Sequence, residues 1–261
     1  MPTLPPTVLV VAGNDPSGGA GLAADVQAIT AAGAHPAPVI TALTVQDTAN
    51  ASRVEPAAAE LVAAQMEAVL ADIPVAAVKI GLLATAAIAA AVADVLARHP
   101  GLPVVLDPVL VAAGGARLAE AALTEVLLER LCPLTLLLTP NAHEIRGLAP
   151  GLPDSAARAA ALRQAGCTWV LAKGGDEADA GDDRVSNTLY GPGAPRLFRW
   201  PRLPGSFHGS GCTLASACAA RIAHGDPVET AVAEAQALTH GWLERAFRPG
   251  RGQLVPLRRP A

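Results

Sequence analysis

The sequence predicts an α/β domain built on a doubly wound, mainly parallel central sheet with helices on both faces. Three observations lead there. Short apolar runs rich in Val, Ile and Leu alternate with Ala-rich stretches of helical period. Those runs are continuously apolar, as expected of strands covered on both faces. The 261 residues are 51% hydrophobic and only 16% charged, which suits one large buried core.

Taken in order, the first strand-like run is 8–12, and it leads through the glycine-rich loop GNDPSGGAGLAAD into a helical pattern at 22–32. Strand-like runs follow at 38–43, 75–80, 103–106, 134–138 and 168–172, separated by helical patterns at 56–71, 85–98, 118–131 and 155–165. This βαβ rhythm makes neighbouring strands parallel. After Lys173 the rhythm changes: a polar DEADAGDD loop precedes SNTLYG and PRLFRW, which read as short antiparallel strands at one edge. Two helices, at 211–223 and 227–246, flank an HGD break. Residues 1–261 form a single domain with its core at about 8–246, and the Arg- and Pro-containing tail at 249–261 is expected to be loosely held.

A net charge of −4 provides no general attraction to polyanions, so nucleic acid is not expected as a partner. No apolar run approaches the roughly 18–20 residues of a membrane span, and no basic segment precedes a signal-length apolar stretch. No membrane association and a cytoplasmic location are expected. The four cysteines, Cys132, Cys167, Cys212 and Cys218, show no CxxC or zinc spacing and are read as free thiols.

In such sheets function gathers at the carboxyl ends of the strands. Those positions are Asn14 and Asp15, 44–47, Gly81 and Leu82, Asp107, 139–144, and Lys173 with its two following glycines. In the opening loop, Gly19, Gly21 and Ala24 fit a dinucleotide fingerprint and raise the reading of a dinucleotide-dependent oxidoreductase. Six residues separate Ala12 from Gly19, however, and that turn is too long for the fingerprint.

A better phosphate site is FHGSGCTLASACAARIA. There His208, Gly209, Ser210 and Gly211 enter a helix of small residues, whose first-turn N–H groups and positive dipole end suit an anion. No Walker lysine motif occurs. Phosphoryl transfer also needs oxygen ligands for Mg2+ and positive charge near the phosphates. Asp107 in LDPV, Asn141 and Glu144 in TPNAHE, and Lys173 in AKGG are candidates. Each also has a plain structural reading: Asn141 as a helix N-cap, Asp107 as a turn residue, Lys173 as a surface charge.

These segments, with ITALTVQDT and KIGLL, resemble in order the hydroxymethylpyrimidine/phosphomethylpyrimidine kinases of the ribokinase-like superfamily, from about residue 8 to residue 246. The resemblance implies a ribokinase-like, single-domain homodimer. Its reaction would transfer the γ-phosphoryl group of Mg2+-bound ATP to 4-amino-5-hydroxymethyl-2-methylpyrimidine and then to its monophosphate, on the route to thiamine. Carried across residue by residue, Gln46 and Asp25 would bind the pyrimidine, Gly13 and the GGAG turn would wall the ring, and Leu82 would supply an apolar contact. Gly209, Ser210, Gly211 and Cys212 would form the anion hole. Asn141 and Lys173 would meet ATP, with Lys173 also counted in the catalytic set, and Asp107 and Glu144 would serve the metal.

Cys212 takes the place where sugar kinases of the superfamily carry an aspartate base. The helix dipole lowers a thiol pKa there, while ATP phosphates raise it.

The chain departs from the family pattern on the ATP side. The flap reads DPVLVAAGG, with Ala112, Ala113 and Gly114 where the pattern has a lysine-bearing segment, and Arg117 stands four residues beyond Ala113. Ser206 and Phe207 replace an Asn-Thr pair, and GRGQLVP stands for a segment like GHGPVNH. Two other readings stay open from sequence: a pyridoxal kinase-like activity and a non-catalytic pyrimidine-binding homologue.

Overall fold

A computed structural model describes residues 4–110, 121–175 and 183–260; the flap positions Ala112, Ala113, Gly114 and Arg117 lie outside them. Nine strands form one sheet: β1 (Thr7–Asn14), β2 (His35–Gln46), β3 (Ala51–Pro56), β4 (Val75–Ile80), β5 (Val104–Leu106), β6 (Leu137–Leu138), β7 (Trp169–Lys173), β8 (Arg184–Tyr190) and β9 (Arg196–Pro201). Their spatial order is β3-β2-β1-β4-β5-β6-β7-β8-β9. The run from β2 to β7 is parallel, and β3, β8 and β9 join antiparallel. The doubly wound, mainly parallel architecture is therefore as expected.

Strand β1 shows why the two faces are equivalent. Leu9 and Val11 point into one apolar layer, shared with α2 (Ala59–Asp72), α3 (Ala86–Ala97), α5 (Ala142–Leu148) and α6 (Ser155–Gln164). Val8, Val10 and Ala12 point into the other, under α1 (Gly21–Ala31), α7 (Ser210–Ala223) and α8 (Val228–Glu244). Alternation along β4 puts Val78 and Ile80 in the first layer and Ala77 in the second, so Lys79 falls on the α1 and α7 side. Along α7, Ala215, Ala217, Cys218, Ala219 and Ala220 have no exposed surface, and their small size lets the helix lie close on the sheet.

Three details differ from expectation. Strand β3 went unread because ASRVEP has no apolar alternation; its order comes from pairing with β2. The helix expected at 118–131 is, within the described residues, α4 (Ala121–Val126), followed by a π-helical turn (Leu127–Leu131) and a 3-10 turn (Cys132–Leu134) that holds Pro133. That turn shortens the strand expected at 134–138 to β6. The tail expected to be loosely held is instead docked, with Val255 and Arg258 both buried. Phe247 and Val255 exchange backbone hydrogen bonds, and Trp242 donates its indole N–H to the Arg259 carbonyl at 2.9 Å. Among the described residues no helix is long and apolar enough to cross a membrane.

Candidate active site

The parallel strands deliver their polar residues to one edge, where they meet the start of α7. Gly209 is the N-cap of that helix and has φ +75°, a left-handed conformation that favours glycine. A Cβ on Gly209 would overlap the Gly19 carbonyl, and one on Gly19 would overlap the His208 ring. The two glycine loops are thus pressed together, and this close approach requires glycine at positions 19 and 209.

Beside the first turn of α7 lies an ion pair. Lys173 donates from Nζ to Asp107 Oδ1 at 2.8 Å, and Thr139 donates from Oγ1 to the same oxygen at 2.9 Å. Nζ is 3.1 Å from the point where a Gly211 side chain would begin, and Asp107 Oδ2 is 3.8 Å from that point. A Cβ there would crowd the ammonium. Burial pushes Asp107 up, but Lys173, Lys79 and Thr139 reverse this and hold the carboxylate below its ordinary range. Burial works against the Lys173 charge, yet Asp107 and Glu144 more than restore it, so its pKa is raised.

Asn141 and Glu144 form a capping box at the start of α5. Asn141 Oδ1 accepts from the N–H groups of His143 and Glu144, and Glu144 Oε2 accepts from Asn141 N at 2.7 Å. The N-cap reading of Asn141 holds, and the cap also brings Asn141 to the wall of a cavity. That cavity, about 370 Å³, opens beside Ser210 and Gly211 and is lined by Asn141, Lys173, Trp200 and His240 among others. The Trp200 and His240 rings stack with centroids 5.1 Å apart. Its floor is knitted by Gln236, whose Oε1 accepts from Asn187 Nδ2 at 2.8 Å and from Trp200 Nε1 at 3.3 Å.

On the other side of α7, Gly13 and Leu82 are neighbours: a Cβ on Gly13 would come within 2.9 Å of Leu82 Cδ2. Gln46 stands at the end of β2, half-buried, with its amide 3.1 Å from His208 Nε2. Asp25 departs from its expected position at a ligand. It is wholly buried beneath the loop, where Ser216 Oγ donates to Oδ1 at 2.7 Å and Lys79 Nζ to Oδ2 at 2.9 Å. Both oxygens face protein donors because α1 lies on the sheet face to which Lys79 points. Burial lowers the Lys79 pKa, and Asp25 more than reverses that, whereas burial outweighs Lys79 and Ser216 at Asp25 and leaves its carboxyl above the ordinary range.

Cys212 is the one cysteine of the four that is not fully buried. Burial pushes its thiol up to about 11 against the opposing pull of Lys79, so the thiol carries its proton at neutral pH. The sequence had set the helix dipole against ATP phosphates; in the ligand-free protein desolvation is the largest influence, and it acts in the direction that phosphates would.

Several residues at this edge were given no role of their own from sequence. Asp15 accepts from Ser17 N at 2.8 Å and from Ala20 N at 2.7 Å, and lies 2.7 Å from His208 Nε2. Arg258 reaches back from the tail to donate to the Gly19 carbonyl at 2.6 Å and to Thr213 Oγ1 at 2.8 Å. Burial lowers its pKa to about 10. Lys79 offered one signal, a lone charge inside an otherwise apolar strand. Asp15 and His208 read in sequence only as a strand end and a helix entry because they meet across 193 residues, and Arg258 lies 239 residues from Gly19.

A family model described as phosphomethylpyrimidine kinase matches residues 15–257. The hydroxymethylpyrimidine/phosphomethylpyrimidine kinase of Rhizobium meliloti is 39% identical over 250 residues, covering 94% of this chain and 93% of that protein. The thiamine biosynthesis bifunctional protein ThiED of Geobacter sulfurreducens is 41% identical over 251 residues. The match covers 94% of this chain but 51% of that longer protein, so the chain spans about half its length. Among solved structures, the pyridoxal kinase of Staphylococcus aureus in complex with AMP-PCP and pyridoxal superposes with a TM-score of 0.88 at 25% identity, over 98% of this chain and 94% of that one.

Proposed function

Given that the chain belongs to the phosphomethylpyrimidine kinase family, we propose that it transfers the γ-phosphoryl group of ATP to 4-amino-5-hydroxymethyl-2-methylpyrimidine and then to the monophosphate. The observation that carries this reading is the first turn of α7. It borders the cavity, with Lys173 Nζ and Asp107 Oδ2 both close to the Gly211 side-chain position. The cavity of about 370 Å³ is the size of a small-ligand pocket and would take the nucleoside, its base beside the Trp200 and His240 stack. Gln46, Gly13 and Leu82 would frame the acceptor ring.

Phosphoryl transfer is mainly positioning and charge stabilisation. The N–H groups of Gly211 and Cys212 would meet the transferred group, and Lys173 would balance its charge. Among the described residues no cluster of three or more His, Cys, Asp or Glu is arranged to hold a metal. Asp107 and Glu144 nonetheless suit Mg2+, which keeps several waters and takes only one or two carboxylates when phosphates share it. That ion would supply charge to the β- and γ-phosphates.

A thiol near 11 carries its proton at neutral pH, so Cys212 would act as a base only through its minor thiolate form, which would take up the hydroxymethyl proton as the bond from the acceptor oxygen to phosphorus forms. The exposed apolar side chains Ile40, Leu43 and Val45 on β2 and Leu61 on α2 favour a homodimer. A cytoplasmic location completes the proposal.

The test is a coupled assay with ATP, Mg2+ and the hydroxymethylpyrimidine, with mono- and diphosphate products resolved and pyridoxal run in parallel. Phosphate appearing only on pyridoxal would replace this reading with the pyridoxal kinase one. Binding of the pyrimidine without any pyrimidine-dependent ATP consumption would leave a binding homologue.

A further inference from the structure

We propose that Asp15 and His208 are positioning residues that orient the Gln46 amide, so that it shows an N–H donor to the acceptor ring and selects ligands with a ring acceptor at that point. Hydrogen-bond logic along one chain of contacts carries the inference. Asp15 already accepts from Ser17 N and Ala20 N. Burial raises its pKa, but the His208, Ser17 and Ala20 hydrogen bonds overcome this and hold it below the ordinary carboxylate range. Asp15 is therefore ionised and can only accept. At 2.7 Å from Asp15 Oδ2, His208 Nε2 must carry the hydrogen.

That decides which end of Gln46 faces His208. An amide nitrogen 3.1 Å from Nε2 would set two N–H groups against each other, so the end facing the ring is the carbonyl oxygen, sharing the Nε2 proton. The nitrogen end then lies 3.3 Å from Thr44 Oγ1. Thr44 sends its own hydrogen to the Asn14 carbonyl at 2.9 Å, which leaves Oγ1 able to accept from the amide. Each of these contacts then pairs a donor with an acceptor.

The far side of His208 agrees. Nδ1 is buried without a partner among the described residues. A lone pair is tolerable there, whereas a buried N–H with no acceptor is costly. His208 is thus the neutral Nε2–H tautomer. One N–H of Gln46 is taken by Thr44, and the other is left for a ligand. A glutamine that could present either a donor or an acceptor is reduced to a donor, which fits a ring nitrogen better than an exocyclic amine. Asp15 and His208 stand 193 residues apart, one in each glycine loop, so the contact that joins the loops also sets the polarity of ring recognition.

The ligand half of this inference rests on the pyrimidine kinase reading; the tautomer half does not, and the experiment separates them. Long-range 1H–15N spectra of the ligand-free protein should show His208 protonated at Nε2 alone. A ring protonated at Nδ1, or at both nitrogens, overturns the proposal whatever the substrate proves to be. Calorimetry with the hydroxymethylpyrimidine then reads the ligand half. His208→Met should weaken binding about tenfold, and His208→Gln, which keeps a donor near Nε2, should recover most of it. In a Gln46→Leu background His208→Met should add little. Equal losses in the Met and Gln variants, or an undiminished loss in the Gln46→Leu background, would give His208 a packing role only and overturn the orientation claim. Failure of the wild-type protein to bind the pyrimidine, with the tautomer confirmed, overturns the ring selection proposed for that substrate and the functional reading behind it.

Discussion

Two lysine–carboxylate pairs lie close together under the same helix terminus and do different work. Asp25–Lys79 is sealed, with both side chains at 0% exposure, and its remaining contact is the Ser216 hydroxyl. Lys173–Asp107 keeps 11% and 3% exposure, and its edge faces Gly211 and the cavity. Both are close charge-assisted bonds, at 2.9 and 2.8 Å. The difference is access: only the second can meet a ligand, so only the second should register mainly in rate. A surface pair on β3, Arg53–Glu55, with side chains 68% and 60% exposed, completes a series from sealed to solvated.

The largest expected effect is on the sealed pair. Asp25→Ala strands the Lys79 ammonium in the core and should cost about 3–5 kcal/mol of stability in urea unfolding, whereas joint replacement by Leu and Met should recover most of that. A small loss on Asp25→Ala would erase the contrast. Next, Lys173→Met should lower kcat by roughly 10²–10³-fold, with a smaller change in unfolding midpoint than Asp25→Ala causes. Parallel losses of rate and stability would place the two pairs in one class.

Cys212→Ala should slow the first phosphorylation by about 10²-fold and the second much less, read as single-turnover rates. The first acceptor must lose a proton, while the second is already ionised. Equal losses leave the thiol as part of the anion hole. Its alkylation by iodoacetamide should climb with pH and not level off before about 11, because the thiolate is the reactive form. Smallest of all, Arg53→Ala should change stability by no more than about 1 kcal/mol, and a larger effect would mean that depth alone does not rank these pairs.

The parallel strands and the helices between them were legible in the sequence because burial on both sides writes long apolar runs. The start of α7 was legible too, since a helix entered through Gly209 and Gly211 is a local signal. What escaped depends on partners distant in sequence. Nothing local marks ASRVEP as a strand, and nothing near Asp15 announces His208. Asp25 was assigned by motif to the ligand, whereas the parity of β4 turns Lys79 toward it and draws it into the core. Composition cannot show such parity until the strand's layer is known.

Arg258 has a consequence for how the protein is made. It braces the carbonyl of Gly19, 239 residues earlier in the chain. At roughly 5–20 residues per second of translation, the opening loop emerges from the ribosome on the order of 10–50 s before its brace exists. A nascent chain therefore holds the glycine loop without this brace until the 239 residues that follow Gly19 have been made.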